Sequence, residues 1–280
     1  TLLSTHLAEI EESDVPASAE QLHQILRAFV EGEMSRNALT LNDTPPTPFV
    51  WWLGNLMHKI GVPILLLILL PLFLILLIPA AVYLRYLERS DPEITPRPDL
   101  EHITRLSDAE DRLVTNQFSA FGDVKPGFFR RWLIVFFLFM LNYSARHLYN
   151  KGFLTRVRTI HFARWVLLDN KRRVLFASNY DGDLESYMDD FINKVGWGLN
   201  LVFSNGIGWP RTRWLVKGGA EHEQKFKYYL RRHQYPTDVW YKAYPDLNAV
   251  ELERNARIRQ GLFRNRFRSE TALQEWLDLI

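Results

Sequence analysis

Three carboxylates in residues 178–185 (SNYDGDLE) form a compact acidic group that could bind a cation. Asp181, Asp183 and Glu185 occupy alternate positions, and carboxylate oxygens are the ligands that hard cations such as Ca²⁺ prefer. The spacing does not complete a calcium-binding loop downstream. Because acidic residues at a helix start also favour the helix dipole without any metal, the main interpretation is a strand end, a turn at Gly182 and a helix cap.

The other residue types exclude several kinds of catalytic centre. The chain has eight histidines and no cysteine, so disulfides, thiolate metal sites and cysteine nucleophiles are excluded. No two histidines show the H-E-x-x-H spacing of a zinc protease, and His161 on a strand is expected to be structural. The G-x-S-x-G, Walker and dinucleotide-binding motifs are also lacking. The sequence therefore contains no recognisable catalytic set.

The last third of the chain is rich in arginine, and its main basic tract also contains Phe263 and Phe267. Arginine interleaved with aromatic residues suits a membrane surface or single-stranded nucleic acid. Contact of this tract with anionic lipid or a partner subunit is the simplest interpretation. A solvent-exposed face without a partner is the alternative. No nucleic acid partner is predicted. The residues expected to contact a membrane or a partner here are Arg257, Arg264, Arg266 and Arg268.

Hydrophobic patterns predict an α+β domain in the carboxyl-terminal half. Residues 159–168 and 173–180 are rich in β-branched and aromatic residues and are separated by the turn 169–172, which predicts a β-hairpin. Asp183 is a good N-cap for an amphipathic helix. Further elements are expected as strand 212–217, helix 220–233, strand 237–244, helix 248–261 and helix 270–280. This order favours one antiparallel sheet with helices on one face, of the ferredoxin-like or α+β-barrel type.

The run from Ile60 to Leu84 carries no charge and is dominated by Leu and Ile. A helix of this length covers the roughly 30 Å hydrocarbon core of a bilayer with some tilt. Three prolines interrupt the run, and Pro71 divides it into two arms of similar length. A proline-kinked membrane span is one interpretation, and a hairpin that dips into the bilayer and returns is the other. The expected interfacial residues are Trp51, Trp52, Arg85 and Arg89.

A second apolar run, Trp132–Ser144, is shorter than a full membrane span. A helix over these residues reaches about 20 Å, which is less than the core thickness. It spans only if Arg130, Arg131 and Arg146 snorkel to the interfaces; otherwise it lies in the interface or packs on the first apolar run. Arg130 and Arg131 are thus further candidates for membrane or partner contact. The basic residues after Leu84 place the carboxyl-terminal domain in the cytoplasm under the positive-inside rule.

These patterns divide the chain into five segments. They are a helical amino-terminal segment that could belong to an α+β half (1–48), a membrane segment (49–89), a polar surface loop with a helix near 107–116 (90–128), a short second apolar membrane or interfacial helix (129–150) and an α+β domain (151–280). The expected fold is therefore an α+β domain attached to one or two membrane helices.

Three strings, residues 160–195, 204–215 and 236–249, resemble an uncharacterised family of bacterial membrane-associated proteins. The resemblance covers about Asp108 to Gly261. It implies an integral membrane protein of a bacterial inner membrane, and it brings no established activity.

Residues 178–182 (SNYDG) are also similar to the G-x-x-D-G motif of dye-decolourising haem peroxidases, with Ser178 in place of the first glycine. This resemblance implies a ferredoxin-like domain in which Asp181 handles protons, assisted by an arginine such as Arg164 or Arg211. A haem would need an axial histidine, and the candidates are His222 and His233.

Three functions are compatible with these features. The first is a non-catalytic, membrane-anchored accessory or scaffold subunit whose α+β domain docks a partner or the membrane surface, because aromatic and arginine residues suit interfaces. It needs no cofactor, and its partners are the lipid bilayer and another protein subunit. The second is a haem-dependent, peroxidase-like oxidoreductase acting on a lipid-soluble substrate. The third is a lipid-binding module.

Overall fold

The computed structural model describes residues 2–12, 18–41, 45–110, 114–149, 157, 159–264 and 267–280. The helices and strands in these ranges give the mixed α+β composition that the sequence predicts. In chain order they are α1 (Leu2–Glu12), α2 (Ala19–Ser35), α3 (Phe49–Ile68), α4 (Leu70–Ser90), α5 (Leu100–Asp108), β1 (Thr115–Asp123), α6 (Phe128–His147), β2 (Ile160–Leu168), β3 (Arg173–Asp181), α7 (Leu184–Phe203), β4 (Thr212–Arg213), β5 (Lys217–Gly218), α8 (Glu223–His233), α9 (Ala249–Leu262) and α10 (Glu270–Leu277).

The chain forms two compact units, and their boundaries differ from the predicted segments. The first unit comprises residues 1–47 and 250–280, and the second comprises residues 48–249. In the first unit the last two helices pack on α2, so the α+β part ends near residue 249 and not at the carboxyl terminus. The buried core of the first unit consists of Leu26, Val30, Ile258, Leu262, Leu273, Trp276 and Leu277.

A close contact in the first unit depends on Gly261. A Cβ atom at this position would come within 1.9 Å of Trp276 Nε1, and that nitrogen donates a hydrogen bond to the Ile258 carbonyl (3.1 Å). We expect Gly261→Ala to lower the free energy of unfolding by about 1–3 kcal/mol, because overpacking displaces the ring. Gly32→Ala is the control, since Gly32 has open space around it and alanine favours the helix. Urea denaturation checks the difference, and equal stability of the two variants would contradict the expected overlap.

The second unit is built on an antiparallel sheet with the strand order β1-β3-β2 among the described residues. The predicted hairpin is confirmed as β2 and β3. β1 pairs with the other side of β3, and Phe118 lies opposite Ser178. The prediction of a helix near 107–116 is wrong, because α5 ends at Asp108 and the chain is extended from Thr115. The residues of β1 lie in the segment for which the sequence predicts a polar loop.

One face of this sheet is covered by helices, and we call the other face the open face. Phe118, Trp165 and Phe176 point to the covered face, where they pack with α7 and α8 in the main core. α6 packs on the same face through Ile134, which shares a buried cluster with Val174. The side chains of the open face are partly or fully exposed, and they include Gln117, Ser119, Phe121, Phe162, Arg164, Val166, Leu175, Ala177 and Asn179.

Two other predicted strands differ from the structure. Residues 212–217 do not form one strand, because residues 214–216 turn between the short strands β4 and β5, and Trp214 and Leu215 in this turn both have a φ of 58°. Residues 237–244 form no strand: in this part of the described chain, a single antiparallel bridge joins Gln234 to Ala120. Pro236 has no N–H with which to extend the ladder. The segment 235–248, here called the aromatic segment, is therefore irregular.

The uncharged run forms two helices, α3 and α4, that meet at Leu69. Leu69 has a φ of −83° and a ψ of −3°, which departs from regular helix geometry, although its amide donates to the Leu65 carbonyl (2.9 Å) and its carbonyl accepts from the Phe73 amide (2.9 Å). Pro71 follows in the first turn of α4, and it lacks the N–H that would continue α3. The predicted division of the run at Pro71 is therefore confirmed to within two residues.

Candidate membrane-binding surface

Three helices, α3, α4 and α6, are each long and apolar enough to cross a membrane. α3 has no buried residue, and apolar side chains on both sides of the break are open, with Leu67 70% and Ile75 68% exposed. The exposed side of α6 carries an apolar stripe. We call these side chains together the apolar surface, because exposed hydrophobic area of this extent marks a membrane or protein interaction site. The stripe consists of Phe128, Trp132, Phe136, Phe139 and Met140.

Aromatic and basic groups border the apolar surface. Trp51 and Trp52 are exposed at the start of α3, and Arg89 is exposed at the end of α4. The Lys171 ammonium lies 5.1 Å from the centre of the Trp132 ring. Tryptophan and basic residues are typical of the level at which lipid headgroups meet the hydrocarbon.

The connection of α6 to the sheet restricts how it meets a bilayer. β1 leads into α6 and β2 follows it, and both strands pair with β3. A 20-residue helix and a nine-residue strand are both about 30 Å long, and Ile134 in the middle of α6 is buried in a cluster with Val174 of the sheet. α6 therefore lies along the sheet. This packing favours the interfacial interpretation of α6 over a full crossing.

A buried carboxylate joins the end of α4 to the β4–β5 turn. Glu88 Oε1 accepts hydrogen bonds from Thr212 Oγ1 (3.0 Å) and the Leu215 amide (2.8 Å). Its Oε2 accepts from the Trp214 amide (2.9 Å) and Arg85 Nη1 (3.1 Å). Arg85, predicted as an interfacial residue, is thus partly buried in an ion pair. The sequence motifs do not predict this role of Glu88, although an acidic residue one turn after an uncharged run is a signal for it.

A second buried ionic group contains Asp91, Lys125 and Arg130. Lys125 Nζ lies 2.7 Å from Asp91 Oδ2 and donates to the Ser204 carbonyl (2.8 Å). Burial lowers the pKa of Lys125 to about 8, against the opposing attraction of Asp91. Arg130 pairs with the same carboxylate and is 2% exposed, so the structure places it inside the protein and not at the predicted contact surface. Arg131 is partly buried.

Asp181, the predicted proton-handling residue, ties together the ends of three strands. His161 Nε2 lies 2.6 Å and Thr115 Oγ1 3.0 Å from its Oδ1, and the Ala249 amide donates to Oδ2 (2.7 Å). Burial alone would raise the pKa of Asp181, but the hydrogen bonds from His161 and Ala249 outweigh burial and lower it. A carboxyl group held ionised in this way is a poor proton donor near neutral pH, and its contacts indicate a structural role.

The two arginines expected to assist Asp181 lie elsewhere. Arg164 is exposed on the open face. The Arg211 amide donates to Glu93 Oε2 (2.9 Å) in the loop before β4. Within the described residues, neither arginine forms a hydrogen bond or ion pair with Asp181, so the expected catalytic group is not assembled.

The two candidate haem ligands also lie apart. His222 is exposed just before α8. His233, at the end of α8, is hydrogen-bonded through Nδ1 to the Tyr229 carbonyl (2.7 Å), and burial lowers its pKa. Because Nδ1 of His233 is hydrogen-bonded to a helix carbonyl, only its Nε2 could bind a metal. In the described part of the chain neither histidine contacts Asp181, and haem binding by either one stays a prediction.

A polar cleft of about 480 Å³ lies between α5, the start of α7 and α8, and it was not anticipated from the sequence. Its cations are already neutralised: Lys227 pairs with Glu223 (2.8 Å), and Arg231 pairs with Glu110 (2.9 Å). Among the described residues of this lining, no cation is therefore left unpaired to bind an anionic ligand. Its lining includes Pro98, Ile103, Ser107, Glu110, Asp183, Glu185, Glu223, Gln224, Lys227, Tyr228 and Arg231.

The basic tract near the carboxyl terminus lies in the first unit. Arg257, Arg264 and Arg268 are exposed, and the guanidinium of Arg264 lies 5.4 Å from the centre of the Phe267 ring. Arg266 lies outside the described residues. Contact of this tract with lipid or a partner stays a prediction.

Comparison with known proteins adds no second source of inference. No family model, no curated protein and no solved structure matches the chain. In the part that the structure describes, no group of three or more histidine or acidic side chains is arranged to hold a metal ion. The features of the molecule that bear on function are therefore the apolar surface, the two buried ionic groups beside it and the aromatic segment.

Proposed function

We propose that this chain is a membrane-anchored docking subunit, in which the apolar surface enters a lipid bilayer and the sheet binds a partner protein on the aqueous side. One observation carries the proposal: two exposed hydrophobic regions lie on different sides of the same sheet. α6 packs on the covered face. The aromatic segment runs beside β1 and reaches the open face, where the Tyr235 and Phe121 rings are 5.7 Å apart.

The aromatic segment has the composition of a protein interface. Val239 is 85% and Tyr241 82% exposed, and Tyr235, Trp240 and Tyr244 are exposed as well. Tyrosine and tryptophan are enriched where proteins bind each other. The segment is held at its start, where the Tyr235 amide donates to the Ser119 carbonyl (2.8 Å), and at its end by Asp181. Because it lies away from α6, a protein in the aqueous phase is its expected partner and not lipid.

The strand order supports a ferredoxin-like assignment for the sheet. β3 lies between β1 and β2, which α6 connects, and this is a split β-α-β arrangement. The aromatic segment takes the place of a further edge strand beside β1 without completing the ladder. The excess of basic residues after the apolar run supports the cytoplasmic side of a bacterial inner membrane for this domain.

Site-specific photo-crosslinking tests the docking role in the full-length, membrane-bound protein. A photoreactive amino acid at Tyr241 is expected to give a discrete crosslinked species, and the added substitution Trp240→Ala should reduce its yield several-fold. The same probe at the exposed residue Glu101 on α5 is the control and should give no such species. Identical products from both positions, or none from position 241 in native membranes, would contradict the proposal.

A further inference from the structure

We infer that the apolar surface enters one leaflet of the bilayer and returns, so that both ends of the α3–α4 segment face the same side. The partner that fits this surface is a lipid monolayer, into which the surface inserts to a depth of about one leaflet. The inference rests on the membrane anchoring proposed above, and it selects the hairpin over the kinked span.

The contacts of α6 with the two arms require a large bend between them. Near the start of the segment, Asn55 Oδ1 lies 2.9 Å from His147 Nδ1 at the end of α6. Just after the segment, Asp91 is ion-paired with Arg130 at the start of α6. A straight helix from residue 55 to 91 would be about 54 Å long, whereas residues 130–147 of α6 cover about 26 Å. Side-chain reach does not make up this difference, so α3 and α4 fold toward each other.

The same contacts set the depth of the segment. With helical arms of about 21 and 33 Å that meet at Leu69, the bend lies roughly 15 to 20 Å from the line that joins the two contact points. This is close to half of the roughly 30 Å hydrocarbon core. Leu67 and Ile68, next to the bend, are 70% and 68% exposed.

The positions of the charges argue against two full crossings. Lys59 and Arg85 limit the uncharged run. Its arms, residues 60–69 and 70–84, are about 15 and 22 Å long as helices, and each is shorter than the core. Pro63, Pro71 and Pro79 supply the interruptions that a bent path needs. α6 lies along the sheet between the two contact points, with its apolar stripe exposed, as expected for a helix in the interface plane.

Cysteine labelling tests this arrangement cleanly because the chain has no cysteine of its own. Single variants Val50→Cys and Ser90→Cys mark the two ends, Leu70→Cys marks the bend, and Gln224→Cys on α8 marks the side of the sheet domain. In sealed membrane vesicles of one orientation, a membrane-impermeant maleimide should label positions 50, 90 and 224 to the same extent. Position 70 should react only after detergent is added. A fluorophore at position 70 should be quenched most strongly by spin labels near the bilayer centre.

Two labelling patterns would overturn the inference. Positions 50 and 90 labelled from opposite sides would mean one full crossing, and position 70 labelled from the side opposite to position 224 would mean two. Failure of the anchoring proposal gives a different result: the unmodified chain would then leave the membrane in carbonate and would not float with vesicles. Retention in the membrane together with opposite-side labelling would reject only the single-leaflet arrangement.

Discussion

Glu88→Ala is expected to lower the free energy of unfolding of the second unit by about 3–5 kcal/mol, because it removes one partner from a buried ionic group. The carboxylate accepts hydrogen bonds from the Trp214 and Leu215 amides and from the Thr212 hydroxyl. Without it these donors stay buried and unpaired, and each costs about 1–3 kcal/mol. The two amides also belong to residues with positive φ, a conformation that needs support from its surroundings.

Hydrogen exchange and urea denaturation of the full chain in detergent would measure this effect. Protection of the Trp214 and Leu215 amides should be lost in Glu88→Ala before other protected amides exchange. Glu88→Gln keeps the side-chain shape and one acceptor oxygen, so its loss should be smaller. Glu101→Ala, an exposed change on α5, is the matched control and should stay within about 0.5 kcal/mol. Unchanged protection at Trp214 and Leu215 in Glu88→Ala would contradict the role given to the carboxylate.

Local signals explain which strands could be predicted. β2 and β3 are adjacent in the sequence, rich in β-branched and aromatic residues, and joined by a turn whose residues Asp169, Asn170 and Lys171 all take positive φ. β1 has a weaker composition, and its partner strand begins 50 residues after its own end. Non-local pairing of this kind has no signature within a short window of the sequence, and so the sequence predicts a loop over the residues of β1.

The candidate sites show the same limit. Asp181 was singled out for its local string, but its function in the fold depends on Thr115 and His161, which the strand register brings to it. Glu88 and Asp91 were not singled out, because their partners come from β4, from the end of β1 and from α6. The apolar run could be predicted in full, since hydrophobicity is a local property. Its bend depends on contacts with α6, and so the sequence left the span and the hairpin as alternatives.

The free energy of unfolding is expected to rise by about 3 kcal/mol between pH 8 and pH 10.5 through Lys125. The pKa of Lys125 is lowered from 10.5 to about 8 in the folded protein, chiefly by burial. Between these values the unfolded chain holds a proton on this lysine that the folded chain has released. Stability increases with pH wherever the unfolded state binds more protons. Below pH 8 Lys125 is protonated in both the folded and the unfolded chain. Burial of its charge then lowers the free energy of unfolding by the full amount.

Lys125→Met isolates this contribution, because methionine fills a similar volume and does not titrate. Asp91 keeps its ion pair with Arg130 in this variant, so the second ionic group loses its titrating member without leaving a carboxylate unpaired. Urea denaturation at pH 7.5, 9 and 10 should show the original protein gaining stability relative to Lys125→Met as the pH rises. Other lysines and tyrosines titrate in both proteins and cancel in this difference. Parallel pH profiles would mean that Lys125 keeps an ordinary pKa and that its burial beside Asp91 does not penalise its charge.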